Sequence, residues 1–577
     1  MLVAVGVLLP VAGYLADRID ATRGDLDLEK VADRLALEVR KFWADEAKRR
    51  EITSPPLAVS WRPASPSLVQ PWAYLQQLAG DGAGWPTPAA TAAGPQDLAG
   101  GGPQILTTYD RTPCGRLVVL GEPGAGKTVL LIRLVLDLLA RRQPGEPVPL
   151  LVPLASWNPD GPSLTDWLES QILRAYPHLT GVISAGGKSR ARALVDDGLI
   201  LPVLDGLDEI RAGSRTQALA KINATLANHT GIVLSCRAKA FRHAVRPLPG
   251  VDPVRLEGAA GVRLEPLDPL AVADYLIATG GEKGSTRWAA ARSAMASPGT
   301  PLARALVSPL MASLARTIYN PRQGDISLDL PNPTGLTALP SAAAIDQHLL
   351  SGFISAAYRS HPEHPTRWDA EQATRYLSFI AHHLEYRLLT TSFTWTEIGR
   401  AAPRMRKVVW RTLAVTVPIA IVIVGLIYGF GSRHIVNLLS LSALSAVMGI
   451  ALGDISQDTL RDRVFVHPRA ALAIHRTIAL TYGLTAALII GLVGGFGTVN
   501  GIVYGTTQGV TYLVAWELSS AWGQFSMARI YLAARQKNPL RIMAFLEDAH
   551  ERGVLRQAGA VWEFRHASLQ RYLANLP

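Results

Sequence analysis

The stretch LVVLGEPGAGKT, residues 117–128, decides the fold of this 577-residue chain. Its first four residues are apolar and predict a short buried strand, and its last eight fit the pattern G-x-x-x-x-G-K-[ST]. Glycines in such a loop let backbone amides point inward around a phosphate, and the start of the following helix adds partial positive charge. The sequence therefore predicts a phosphate-binding loop between a strand and a helix.

Two side chains of this loop have expected chemical roles. We expect Lys127 to reach the β- and γ-phosphates of a bound nucleotide and the Thr128 hydroxyl to coordinate Mg²⁺. The predicted nucleotide contacts of the loop and the helix start are Gly121, Glu122, Pro123, Gly124, Ala125, Gly126, Lys127, Thr128 and Val129.

Acidic residues follow a second apolar run, LILPVLDGLDE at residues 199–209. We predict that Asp205 is a Mg²⁺ ligand, directly or through water, and that Glu209 or, less favoured, Asp208 orients the attacking water. A helix-capping role is the structural alternative for Asp205. Arg237 ends a further apolar run, residues 231–237, and could sense the γ-phosphate; an ordinary surface arginine is the alternative.

Strand and helix patterns alternate between residues 116 and 240. Apolar runs at 117–120, 148–154, 199–204 and 231–235 predict strands, and amphipathic segments at 129–142 and 164–175 predict helices. This alternation indicates an α/β fold with a parallel sheet covered by helices on both faces.

These motifs together resemble the NACHT family of signal-transducing P-loop NTPases, within the STAND group. The resemblance includes the small residue Gly206 after Asp205, the segment SPLM at residues 308–311 and the segment FRHASLQRYLA at residues 564–574. It implies that Pro309 packs against the base and ribose, and that His566 contacts the β-phosphate of ADP in a winged-helix domain. An ordinary histidine at a helix start is the alternative for His566.

The resemblance also implies a function. It predicts an ATP/ADP-dependent, Mg²⁺-requiring switch that hydrolyses ATP slowly, and bacterial members of the family are implicated in defence signalling. The Ala/Gly/Arg-biased sequence looks bacterial. An ATP-driven transporter or channel and an AAA+-type remodelling ATPase are the rival hypotheses, and the speed of hydrolysis distinguishes a switch from a remodelling enzyme.

Four apolar runs, at residues 412–431, 435–453, 477–496 and 499–516, are long enough to cross a bilayer. Arginines and lysines flank the runs, so the positive-inside rule places the NTPase and winged-helix parts on the cytoplasmic side of the plasma membrane. Buried core helices are the alternative. Small residues four apart, such as Gly491 and Gly495, indicate close helix packing, within the chain or in a homo-oligomer formed on activation.

The domain prediction divides the chain into seven intervals. They are residues 1–16 as an N-terminal membrane anchor, 17–99 as a helical and irregular region, 100–255 as the P-loop NTPase core, 256–320 as a helical domain, 321–407 as a helical region leading into the winged helix, 408–526 as an inserted segment of four transmembrane helices, and 527–577 as the C-terminal part of the winged helix.

The net charge of +11 needs an explanation in terms of partners. Membrane lipid is the favoured partner, because basic residues flank the apolar runs. No nucleic acid is expected, since no Lys/Arg-rich tail and no Cys/His zinc spacing occurs. The two cysteines, Cys114 and Cys236, support neither a disulfide framework nor a zinc site.

Overall fold

The fold is known from a computed structural model, and the residues that it describes form two compact units. The described residues are 28–49, 57–322, 330–359, 367–388, 392–394, 397–398, 521–536 and 539–576, with short gaps at 58, 81–84, 86–89, 91, 182–186, 226–230, 247–251, 298 and 559–560, and a few single positions between 422 and 515. The first unit comprises Met1–Leu173 and His178–Ala373, and the second comprises Arg174–Pro177 and Thr374–Pro577.

A seven-stranded mixed sheet forms the centre of the first unit. Its strands are β1 (Ser60–Pro63), β2 (Gly100–Gly101), β3 (Arg116–Leu120), β4 (Val148–Pro153), β5 (Ile200–Asp205), β6 (Ile232–Cys236) and β7 (Ala259–Leu264). The strand order is β2-β1-β7-β3-β6-β5-β4. The five strands from β7 to β4 are parallel, whereas β1 pairs antiparallel with both β2 and β7. The four strands predicted from the sequence are therefore present, but the sheet is not purely parallel.

The central strands are buried along their whole length. Every residue of β3, β5 and β6 is buried. Because successive side chains of a strand point to opposite faces of the sheet, both faces of these strands must be covered. This agrees with the near-continuous apolar runs in the sequence and with an α/β fold of the P-loop type.

Helices connect and follow the strands. The described helices before residue 360 are α1 (Leu28–Arg49), α2 (Trp72–Gly80), α3 (Ile105–Asp110), α4 (Lys127–Arg141), α5 (Leu164–Ala175), α6 (Arg190–Asp196), α7 (Arg215–Thr225), α8 (Ala238–Val245), α9 (Pro269–Ala278), α10 (Gly284–Met295), α11 (Pro301–Ala305), α12 (Pro309–Tyr319) and α13 (Ala342–Ala357). Three of them, α9, α11 and α12, begin with a side-chain cap followed by proline, a combination that favours a helix start.

The region before residue 100 is more regular than its sequence pattern indicates. The domain prediction treats residues 17–99 as helical and irregular, yet they also contain the strand β1 and the helix α2. Trp61 on β1 is almost fully buried, and its indole nitrogen donates to the Leu98 carbonyl (2.9 Å) and to Thr108 Oγ1 (3.2 Å). At the other end, β7 extends the sheet beyond residue 255. A strand whose partner lies about 200 residues away has no local signature, because its pairing is set by tertiary contacts.

The second unit contains a three-stranded antiparallel sheet and four described helices. Its elements are β8 (Ser392–Phe393), β9 (Leu555–Ala558), β10 (Val561–Phe564), α14 (Ala370–His383), α15 (Ala521–Gln536), α16 (Ile542–Glu551) and α17 (Ala567–Ala574). β9 and β10 form an antiparallel hairpin, and β8 pairs with the other edge of β10 as a third strand. The rings of Tyr376 and Phe545 meet edge to face at 5.2 Å. Two segments far apart in sequence thus form one folded unit.

The membrane prediction is contradicted. Within the part of the chain that the structure describes, no helix is both long enough and apolar enough to cross a membrane. The four apolar runs and residues 1–16 lie outside the described residues, apart from a few single positions. The inserted transmembrane segment and the multi-pass location in the plasma membrane are therefore not retained, whereas the lipid partner stays a prediction. Apolar composition is a necessary property of a membrane span, but a span also requires one continuous helix of about 20 residues.

Replacing Trp61 with alanine tests whether the N-terminal segment belongs to the fold of the first unit. The change removes a fully buried indole ring and two hydrogen bonds, so we expect the free energy of unfolding to fall by about 3–5 kcal/mol. Urea unfolding followed by circular dichroism measures this difference. Tyr74→Ala, at a side chain that is 41% exposed, is the matched control and should cost far less. Equal losses in the two variants would show that β1 contributes little.

Candidate functional site

The phosphate-binding loop connects β3 to α4 through two glycines with left-handed backbones. Gly124 has φ of 76° and Gly126 has φ of 87°, a region that side chains with a Cβ rarely adopt. Gly126 is the residue before the first turn of α4, which begins at Lys127. The Lys127 ammonium donates to the carbonyls of Gly121 (3.0 Å) and Glu122 (3.2 Å), so it lies against the loop.

Asp205 and Thr128 meet at the carboxyl edge of the sheet. Asp205 is the last residue of β5, and one strand, β6, separates β5 from β3. Thr128 Oγ1 donates to Asp205 Oδ2 at 2.7 Å. The structure therefore brings together the two residues that the sequence predicts as Mg²⁺ ligands. The residue at the start of the next helical turn is Gly206, not Asp205, so the capping alternative is wrong.

Ser235, on β6, holds Asp205 from the other side. Its hydroxyl is fully buried, donates to Asp205 Oδ1 and accepts a hydrogen bond from the Gly206 amide at 2.9 Å. Each oxygen of the Asp205 carboxylate thus has a hydroxyl partner. A buried carboxylate needs such partners, and they also fix its orientation.

These oxygen atoms fit a magnesium ion. Mg²⁺ prefers oxygen ligands and is usually bound by one or two protein oxygens together with substrate phosphates and water. Thr128 and Asp205 supply a hydroxyl and a carboxylate next to the phosphate loop. Within the described residues, no group of three or more His, Cys, Asp or Glu side chains could hold a metal by itself. A metal at this edge would therefore depend on the nucleotide for its remaining ligands.

Asp208 and Arg237 form an ion pair beside this edge. Arg237 Nε lies 2.6 Å from Asp208 Oδ2, and the Arg237 amide donates to Asp208 Oδ1 at 2.9 Å. The Arg215 guanidinium donates to the Asp208 carbonyl at 2.5 Å. Both predicted site residues are thus close to the loop, but the carboxylate of Asp208 is occupied by Arg237.

Glu209 lies next to Gly206, and this proximity explains the small residue. Gly206 has φ of 83°, and a Cβ added to it would come within 2.9 Å of Glu209 Cδ. Any other residue at position 206 would strain the backbone and displace the Glu209 carboxyl group. Glu209 is exposed, whereas Asp205 is buried.

The charge of Lys127 depends on its surroundings. Burial lowers the pKa of Lys127 below that of an ordinary lysine, and the carboxylates of Asp208 and Asp205 oppose this shift. The nearby Arg237 lowers the pKa further. A bound phosphate would act in the same direction as the carboxylates and stabilise the ammonium form.

The start of α12 contacts the phosphate-binding loop. The Leu310 amide donates to the Gly124 carbonyl at 3.2 Å. A Cβ added to Gly126 would lie 3.5 Å from Pro309 Cγ and 3.9 Å from Val59 Cγ2. Pro309, which the sequence predicts at the nucleotide, is therefore beside the loop in the first unit.

His566 belongs to the second unit. It precedes α17, and its carbonyl accepts hydrogen bonds from the amides of Leu569 (3.0 Å) and Gln570 (3.1 Å). The expectation that His566 stands at the start of a helix is therefore correct. Its contact with the β-phosphate of ADP stays a prediction.

Residues 115–277 match the family model of the NACHT domain. This part of the chain is a NACHT-domain P-loop NTPase. No curated protein matches the chain. The matched interval contains the phosphate-binding loop, Asp205, Arg237 and strands β3 to β7, and it ends within α9. Pro309 and His566 lie beyond the NACHT match.

Sequence reasoning missed three residues of the site. Ser235 lies within the run that ends at Arg237, but its hydroxyl role depends on β6 standing beside β5. Val59 and Leu310 reach the loop from segments far away in sequence, and only the folded chain shows this. The family-like segment at residues 308–311 was a sequence signal for Leu310. No feature of the sequence pointed to Val59.

Replacing Ser235 with alanine tests its role as a positioning residue for Asp205. The change leaves Asp205 Oδ1 and the Gly206 amide without this partner, so we expect the Mg²⁺ concentration for half-maximal nucleotide binding to rise by about tenfold. Titration of Mg²⁺ with a fluorescent ATP analogue measures it, and nucleotide affinity without Mg²⁺ should change little. Ser214→Ala, in a turn outside the site, is the control. An unchanged Mg²⁺ requirement in the Ser235 variant would contradict this role.

Proposed function

We propose that this chain is a molecular switch that binds ATP or ADP with Mg²⁺ in its NACHT domain and hydrolyses ATP slowly. The observation that carries the proposal is the meeting of Thr128 and Asp205 beside a phosphate-binding loop that also contacts α12. The first contact supports nucleotide chemistry. The second gives a path by which the nucleotide state would change the position of a neighbouring helix.

The loop residues would bind the phosphates. The backbone amides around Gly124 and Gly126 and the start of α4 favour an anion, and Lys127 supplies a positive charge. A Mg²⁺ ion held by Thr128 and Asp205 would offset phosphate charge. Ser235 would keep the Asp205 carboxylate oriented for this task.

Glu209 is our choice for the residue that orients the attacking water. One oxygen of the Asp208 carboxylate accepts from the Arg237 amide and the other forms an ion pair with the Arg237 guanidinium, so Asp208 serves to position that arginine. Glu209 is exposed and its carboxyl group is held beside Gly206, directly after Asp205. Arg237, fixed by Asp208, is then a cation that could respond to the γ-phosphate.

The contact between the loop and α12 would transmit the nucleotide state. A ligand shifts a conformational equilibrium only by its differential affinity for the two states. The Leu310 amide donates a hydrogen bond directly to the Gly124 carbonyl. A change in the conformation of the loop would therefore change the position of α12. Pro309, next to Gly126, is proposed to contact the nucleoside, as the family resemblance implies.

The remaining parts of the proposal rest on the resemblance alone. His566 would contact the β-phosphate of ADP and stabilise the resting state. Exchange of ADP for ATP would weaken this contact and lead to assembly into a homo-oligomer. A role in bacterial defence signalling is the corresponding physiological proposal.

The nucleotide that remains bound through purification distinguishes a switch from a fast enzyme. We expect ADP bound at close to one per chain, no bound nucleotide in Lys127→Ala, and faster loss of ADP from His566→Ala. Chromatography of the nucleotide released by denaturation gives the amount, and dilution into excess unlabelled ADP gives the rate of loss. Lys239→Ala, at an exposed lysine of α8, is the control.

Steady-state turnover completes this test. A switch should turn over well below ~1 s⁻¹, since typical working enzymes reach about 1–10³ s⁻¹. Sustained turnover above this range, with no ADP retained, would contradict the switch and favour a remodelling ATPase. Equal ADP retention in the His566 variant and the parent protein would remove His566 from the proposal and leave the NACHT site intact.

Replacing Glu209 with glutamine separates hydrolysis from binding. The amide cannot accept a proton, so we expect the rate of phosphate release to fall by about 10²-fold while ATP affinity stays within about twofold. Single-turnover measurements with labelled ATP give the rate. Glu282→Gln, at an exposed position outside the site, should behave like the parent protein. A fall in affinity as large as the fall in rate would indicate a binding role instead.

A further inference from the structure

A groove with a volume of about 400 Å³ lies in the first unit, next to β7 and apart from the phosphate-binding loop. We call it the β7 groove. Its lining includes Arg62, Leu68, Trp72, Leu98, Arg242 and Arg263. None of the residues Gly121–Thr128 lines the groove. Its volume is within the ~300–1,000 Å³ typical of small-molecule sites.

The charged residues that line the groove are all basic. They are Arg62, Arg242 and Arg263, and no aspartate or glutamate is among the lining residues. Two of them have acidic partners outside the groove: Arg62 lies 3.5 Å from Glu265, and Arg263 lies 3.4 Å from Glu122. The net positive charge of the groove therefore depends on the third arginine, Arg242.

Arg242 has no such partner. It is exposed on α8, and its guanidinium forms no ion pair with a carboxylate of the described residues. Guanidinium groups bind carboxylates and phosphates in a two-pronged geometry. Arg242 is thus a cation available to an anionic group of a ligand.

Trp72 provides an aromatic side chain to the lining of the groove. Most other lining groups are apolar, among them Leu68, Leu98 and Leu120.

We propose that the β7 groove binds a small organic anion with an apolar body. Its anionic group would pair with Arg242, and its body would lie on the apolar lining and against the Trp72 ring. The proposal goes beyond nucleotide binding and does not depend on it. The two sites are adjacent, since Leu120 precedes the phosphate-binding loop and Arg263 reaches Glu122 within the loop.

Anilinonaphthalene sulfonate is a suitable probe, because it combines an aromatic body with a sulfonate. We expect the full-length folded protein to bind it at one saturable site. Arg242→Gln should raise its dissociation constant by about tenfold, as expected for loss of a hydrogen-bonded charge. Trp72→Ala removes the aromatic side chain from the lining, and it should raise the constant by about fivefold. Dye fluorescence and calorimetry measure both changes.

Two controls make the test specific. Arg246→Gln removes an exposed charge just after α8 that does not line the groove, and it should leave the dissociation constant unchanged. Lys127→Ala disables the phosphate loop and should also retain dye binding, so failure of the nucleotide proposal would not affect this one. Unfolding midpoints identify a variant that has lost its fold.

Three results would overturn the proposal. They are absence of a saturable dye site in the folded protein, parent-like affinity in both Arg242→Gln and Trp72→Ala, and equal weakening by Arg242→Gln and Arg246→Gln. The last result would show that the dye responds to general positive charge at the end of α8 and not to the groove.

Discussion

The Asp205 carboxylate is the interaction on which the rest of the site depends. One oxygen accepts from Thr128 at the start of α4, and the other accepts from Ser235 on β6. These bonds tie three elements together at the carboxyl edge of the sheet. They require β3, β6 and β5 to be neighbours in that order and parallel, because only then do the three strand ends meet. The buried negative charge in turn requires these partners, so the strand order and the site support each other.

The elements predicted correctly from the sequence are those whose information is local. The strand before residue 121, the glycine loop and the helix after it are encoded in twelve consecutive residues, and their geometry follows from backbone sterics and helix polarity. The strands within the apolar runs that end at Asp205 and Arg237 could be predicted for the same reason. In contrast, β1 and β8 are short strands whose partners are distant in sequence, and the positions of Ser235 and Val59 follow only from strand order. Contacts of this kind leave no periodic pattern of apolar residues in the sequence.

The membrane prediction went wrong for a related reason. Hydropathy is a property of composition over a window, and it does not specify one continuous helix. The phosphate site could be predicted independently of the membrane prediction, because the loop motif and the Asp205 carboxylate do not depend on the four apolar runs. The pairing of β8 with β10 joins Ser392 and Phe393 to Glu563 and Trp562, and this contact is independent of any prediction for the residues between them.

Two short contacts join the phosphate-binding loop of the NACHT domain to neighbouring elements, so a change at the nucleotide phosphates would reach those elements. The loop backbone is bonded to Leu310, and the same loop carries Glu122, which pairs with Arg263 at 3.4 Å. The first contact involves two backbone groups, so it is independent of side-chain identity and follows any movement of the loop. The second joins two partly exposed charges and is worth little alone. It nevertheless connects the loop to a groove lined by arginines, so an anion bound there would alter the surroundings of Glu122. By linkage, whatever the anion does to nucleotide affinity, the nucleotide must do to the affinity of the anion.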